Sequence, residues 1–83
     1  MNGLRVYINQ LNPESSTPFE AQRVFYTRRE DGPFYRWRYE EGVGQWIFSR
    51  VHAADLTPKA LSIASWTAVP SALRARLSEH YLD

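Results

Sequence analysis

The side chains of this chain that are able to do chemistry are few and scattered. Ser49, His52 and Asp55 fall close together, and they are the residue types of a nucleophile, a base and an orienting carboxylate. A triad is defined by geometry rather than by spacing along the chain, and nothing beside these residues marks an oxyanion hole or a pocket. An enzyme or small ligand-binding protein built on His52 and Asp55 is therefore a reading that stands behind the binding readings below. The carboxylate pairs Glu30-Asp31 and Glu40-Glu41 coincide with turn residues. Exposed turns do not desolvate a carboxyl group, so they are poor places to raise its pKa for acid or base work. His52 and His80 are the two histidines of a chain without cysteine, which falls short of the ligand set of a structural zinc site. Gly42-Val43-Gly44 has no helix after it and is not a phosphate loop. No catalytic residue, metal or cofactor is expected.

Arginine forms the second pattern. Nine of the ten basic residues are arginine and only Lys59 is lysine; the planar guanidinium forks onto carboxylates and stacks on rings, which suits interfaces. Arg29, Arg36 and Arg38 are interleaved with Phe25, Phe34, Thr27 and Ser49 in segments that read as strands, so one sheet face is expected to carry them together. Such a face fits a protein partner or a second copy of the chain. It also fits single-stranded nucleic acid, with rings on bases and arginines on phosphates. A solvated face with cross-strand pairs is the plain alternative. The net charge of only +1 argues against a phosphate-backbone binder. The sequence thus points to a small non-enzymatic interaction or accessory module, with Arg29, Arg36, Arg38, Phe34 and Phe25 as binding residues and nucleic-acid binding as the alternative.

The elements that position these residues follow from periodicity. Leu4, Val6 and Ile8 alternate with polar neighbours and predict a first strand. Residues 23 to 29, 34 to 40 and 45 to 51 are rich in aromatic and β-branched residues, and turn residues separate them, Asp31-Gly32-Pro33 and then Glu41-Gly42-Val43-Gly44. These predict an antiparallel meander. Loops of four residues, Glu30 to Pro33 and Glu41 to Gly44, place Arg29 opposite Phe34, Tyr26 opposite Trp37, Tyr39 opposite Trp46 and Trp37 opposite Phe48. One face then collects Val24, Tyr26, Tyr35, Trp37, Tyr39, Trp46 and Phe48 as a core, and the other carries the arginines with Phe25, Thr27 and Phe34. A slip of one residue in either loop would exchange the two faces of a strand.

Thr17-Pro18-Phe19-Glu20 matches a helix start, and Asp55 or Thr57 is placed to cap a turn at Pro58. Residues 61 to 66 fit either a short strand or the end of that turn. Val69, Leu73, Leu77 and Tyr81 recur every four residues and predict an amphipathic helix over 70 to 82. His80 lies in its last turn, where the helix dipole favours a protonated imidazole.

At 83 residues with no cysteine, one domain spanning 1–83 and held by its core alone is expected. Three Trp, five Tyr and four Phe supply the apolar area that so short a chain needs. The absence of a long apolar run or signal-like N-terminus leads to the expectation of a cytoplasmic protein that does not enter membranes. A sheet with one apolar face and one amphipathic helix cover each other most economically as two layers. The expected fold is α+β, a small antiparallel β-meander of three to four strands packed on one C-terminal amphipathic helix.

Overall fold

The computed structural model describes residues 3–9, 24–52, 54, 56 and 61–81. Its described strands are β1 (Leu4–Asn9), β2 (Val24–Arg29), β3 (Phe34–Glu40), β4 (Gln45–Val51) and β5 (Leu61–Ala64). They form one antiparallel sheet in the order β4-β3-β2-β1-β5. A 3-10 turn, Trp66–Ala68, leads into helix α1, Ser71–His80. The protein is a small α+β fold, with five described strands where the sequence predicts three or four. The turn expected at Thr17-Pro18-Phe19-Glu20 and the caps expected at Asp55 and Thr57 lie outside the described residues.

The extra strand comes from the stretch whose local pattern was ambiguous. Residues 61 to 64 pair with β1, Val6 opposite Ala64 and Tyr7 opposite Ile63. The backbone groups along one side of β1 thereby gain partners. That partner is 55 or so residues away in sequence, so local propensity alone does not settle the state of the segment.

The two hairpins behave differently. Between β3 and β4 the register is the predicted one: Tyr39 faces Trp46, Trp37 faces Phe48 and Glu40 faces Gln45. The loop Glu41 to Gly44 closes with the Gly44 N–H on the Glu40 carbonyl at 2.8 Å, and Gly44 has a φ of +67°, which a residue without Cβ adopts at no steric cost. Between β2 and β3 the register is one residue from the prediction. Val24 faces Arg38, Phe25 faces Trp37 and Thr27 faces Tyr35. The cause is the turn: the Gly32 N–H bonds the Arg29 carbonyl at 2.8 Å and Glu30 takes a φ of +51°. The loop is then odd, the three residues Glu30 to Gly32, where the predicted loop has the four residues Glu30 to Pro33.

That shift turns β2 over. Phe25 and Thr27 point to the core and are fully buried, while Val24 and Tyr26 are only half-buried on the outer face. The core consists of Val6, Ile8, Phe25, Trp37, Trp46 and Ala64 from the sheet, with Val69, Leu73 and Leu77 from the turn and helix above it. Leu73 and Leu77 have no exposed surface; each such side chain contributes on the order of 1.5 to 3 kcal/mol relative to leaving it in water. The predicted helical stripe thus covers the aromatic face. The rings meet edge to face or tilted, Phe25 on Trp46 at 5.7 Å and Trp37 on Phe48 at 4.9 Å between centroids, the arrangements that ring quadrupoles favour.

Candidate binding face

The outer face can be written as rows across the strands. One row runs Val51, Phe34, Arg28, Arg5; the next Ser49, Arg36, Tyr26, Tyr7, Ile63; a third holds Ile47, Arg38 and Val24. None of these residues is buried, whereas the opposite face is packed under α1. Among the described residues, four arginines (Arg5, Arg28, Arg36 and Arg38) lie on it with one carboxylate, Glu40. The face is therefore far more basic than the chain as a whole.

Arg5 and Arg28 stand directly opposite one another, a like-charge cross-strand pair of the kind that costs stability. Arg28 is steadied by its own surroundings: its Nε donates to the Gly32 carbonyl at 3.0 Å and its guanidinium lies 5.0 Å from the centroid of Phe34. Asp31 approaches it only to 3.9 Å. Among the described residues no carboxylate forms an ion pair with Arg5, Arg36 or Arg38. Tyr7 and Phe34 pack at 6.0 Å between centroids. Apolar side chains border the charges, Ile47 beside Arg38 and, at the edge, Ile63, which is 68% exposed.

Of the five predicted binding residues, Phe34, Arg36 and Arg38 lie together on this face. Phe25 does not: it has 0% exposure and is a core ring, because the register of the first hairpin reverses β2. Arg29 turns with it. Its guanidinium reaches the carbonyl of Tyr81 at 3.5 Å, at the end of α1, where a cation is favoured by the helix dipole. Arg5, Tyr7, Tyr26 and Arg28 take their places. The alternation of β1 and the lengths of the turns carried that signal, and only the odd turn at Glu30 concealed it.

The core face holds a polar arrangement that periodicity did not suggest. The indole N–H of Trp37 donates to Oγ1 of Thr27 at 2.8 Å, and the same oxygen is 2.8 Å from the Tyr81 hydroxyl. Thr27 is the only polar residue buried among the described residues. A buried tryptophan N–H left alone would cost about 1 to 3 kcal/mol, so Thr27 at this site removes a penalty and ties β2, β3 and the end of α1 together. Burial pushes the Tyr81 hydroxyl pKa up, against the opposing influence of the Thr27 hydrogen bond.

His80 sits in a ring of aromatics, 4.5 Å from Phe48, 4.7 Å from Tyr81, 4.8 Å from Tyr35 and 5.3 Å from Trp37 between centroids. Desolvation by these rings, with a smaller contribution from the Arg76 charge, pushes its pKa below the ordinary 6.5. This corrects the expectation of a favoured imidazolium at the helix end: the pKa is lowered, with desolvation the largest cause. The unfolded chain then binds more protons than the folded one once the pH drops below 6.5. Stability is full above that value and is lost as the pH falls through the lowered folded pKa. Denaturant midpoints measured between about pH 7.5 and about pH 5.5 are expected to fall, and the fall should shrink in His80→Gln. An identical decline in both proteins would show that another group is responsible.

The remaining candidates do not converge. Ser49 is on the outer face beside Arg36, and His52 is exposed just after β4. Asp55 lies outside the described residues. Among the described residues no three His, Cys, Asp or Glu side chains gather as a metal site would require, and no helix is long and apolar enough to cross a membrane. Compared with known proteins, the chain matches no family model, no curated protein and no solved structure.

Proposed function

We propose that the chain is a small interaction module whose outer sheet face docks a protein partner presenting carboxylates among apolar groups. The observation that supports it most is that, among the described residues, four arginines and a single carboxylate lie on one face, two of the arginines facing each other across adjacent strands. A like-charge pair has a use when an anionic partner lies between the two groups, and bidentate pairing with carboxylates is what guanidinium does best. The aliphatic neighbours Ile47, Val51 and Ile63 favour protein over nucleic acid, because a base-binding sheet uses its rings as stacking platforms and gains little from β-branched side chains. Little depth is available for catalysis on an open sheet face.

Tyr7, Tyr26 and Phe34 among four arginines support single-stranded nucleic acid as the second reading. Capture from the native host separates the two. The Arg36→Glu/Arg38→Glu double variant is expected to lose a protein partner that the parent retains, with nuclease making no difference. Nucleic acid retained by the parent alone, in a steeply salt-dependent way, would establish the second reading. Equal capture by parent and variant would remove this face from consideration.

A further inference from the structure

The turn end of the sheet holds an open depression of about 180 Å³ lined by Arg28, Gly32, Pro33, Phe34, Arg50, Val51 and His52. It is smaller than the roughly 300 Å³ at which pockets begin to enclose a whole small molecule, so its size suits one functional group. Two arginines and a histidine line it, and among the described residues no acidic one does.

We infer that this depression is a site for a phosphate monoester group. Arg28 is the anchor. Its Nε is spent on the Gly32 carbonyl at 3.0 Å, and its guanidinium is held 5.0 Å from the Phe34 centroid, which fixes the plane of the fork before any ligand arrives. Asp31, at 3.9 Å from a terminal nitrogen and fully exposed, is too distant to hydrogen-bond it. The terminal N–H groups of that fork remain available for an oxyanion. Arg50 supplies a second positive charge, matching the charge of nearly −2 that a phosphate monoester carries near neutral pH, and His52 supplies a ring nitrogen. Pro33, Phe34 and Val51 give the rim an apolar part against which the ester carbon rests. A carboxylate carries half the charge and leaves one guanidinium uncompensated. Guanidinium pairs with phosphate bidentately, and the binding is stronger where the fork is preorganised.

This site shares Arg28, Phe34 and Val51 with the end row of the docking face and adds Arg50 and His52, whose strand parity is opposite to that of Arg36 and Arg38. The test is an NMR titration of the full chain at constant ionic strength, following the Arg28 Nε–H and the backbone amides of Gly32, Phe34 and Val51. Methyl phosphate and inorganic phosphate are expected to move these signals saturably, methyl phosphate at least as tightly as phosphate. Acetate should bind about tenfold more weakly and chloride should produce no saturable shift. Arg50→Gln, at an exposed position outside the core, should weaken methyl phosphate about tenfold or more while leaving the remaining spectrum in place. Arg36→Glu/Arg38→Glu should leave the site occupied. Shifts that rise linearly with concentration, that chloride or acetate reproduces, or that persist unchanged in Arg50→Gln would overturn the assignment.

Discussion

Replacing Trp37 with alanine will cost about 3 to 5 kcal/mol of folding stability, a large part of the 5 to 15 kcal/mol that a small domain possesses. Trp37 is 1% exposed at the centre of the sheet. Its ring packs on Phe48 and approaches His80, and its backbone stands between Phe25 on β2 and Phe48 on β4. Truncation removes the ring and also leaves Thr27 Oγ1 without the donor 2.8 Å away. Trp37→Phe separates these contributions, because it keeps a ring and deletes only the N–H and part of the volume. The Thr27 hydroxyl can still pair with Tyr81 in that variant, so the cost should be about 1 to 2 kcal/mol. Chemical denaturation of the three proteins at one pH measures both differences. A Trp37→Ala protein with the parent's midpoint would mean that the ring is not the centre of the core.

The legibility of this fold in its sequence depended on which distances along the chain had to be judged. The helix was plain because Val69, Leu73 and Leu77 repeat at one spacing and need only one apolar surface to cover; all three are buried. The second hairpin was equally plain, since Gly42 and Gly44 accept a four-residue turn and the flanking aromatics then face one another. The first hairpin was not. Its turn residues Glu30, Asp31, Gly32 and Pro33 admit an even or an odd loop, and the odd one requires a glutamate at φ +51°, a conformation uncommon for a residue with a Cβ. Composition did not choose between the two, because β2 offers an aromatic residue on either parity, Phe25 or Tyr26. Phe34, Arg36 and Arg38 lie on the predicted face because the second hairpin has the even loop that fixes β3. Phe25 and Arg29 do not, because the odd first loop reverses β2. Burying Thr27 looks unfavourable from sequence, and becomes favourable only with Trp37 and Tyr81 both in reach, the second of which comes from 54 positions away.

The same ambiguity yields the sharpest test of the architecture, in a pair of neighbouring substitutions. Phe25→Ala is expected to cost about 3 to 5 kcal/mol, since Phe25 has no exposed surface and packs against Trp46 at 5.7 Å. Tyr26→Ala is expected to cost no more than about 1 kcal/mol, the scale of an open cross-strand pair, because Tyr26 lies half-buried on the outer face between Arg36 and Tyr7. The four-residue turn predicts the reverse order, with Tyr26 facing Trp37 in the core and Phe25 outside. Both variants share one strand, one turn and nearly the same backbone environment, so strand propensity and unfolded-state effects largely cancel in the comparison. The difference in their denaturation midpoints therefore reports the register itself. A larger loss for Tyr26→Ala than for Phe25→Ala would return Phe25, Thr27 and Arg29 to the outer face, separate Arg28 from Phe34, and dismantle both the facing Arg5 and Arg28 pair and the anchored guanidinium on which the binding proposals rest.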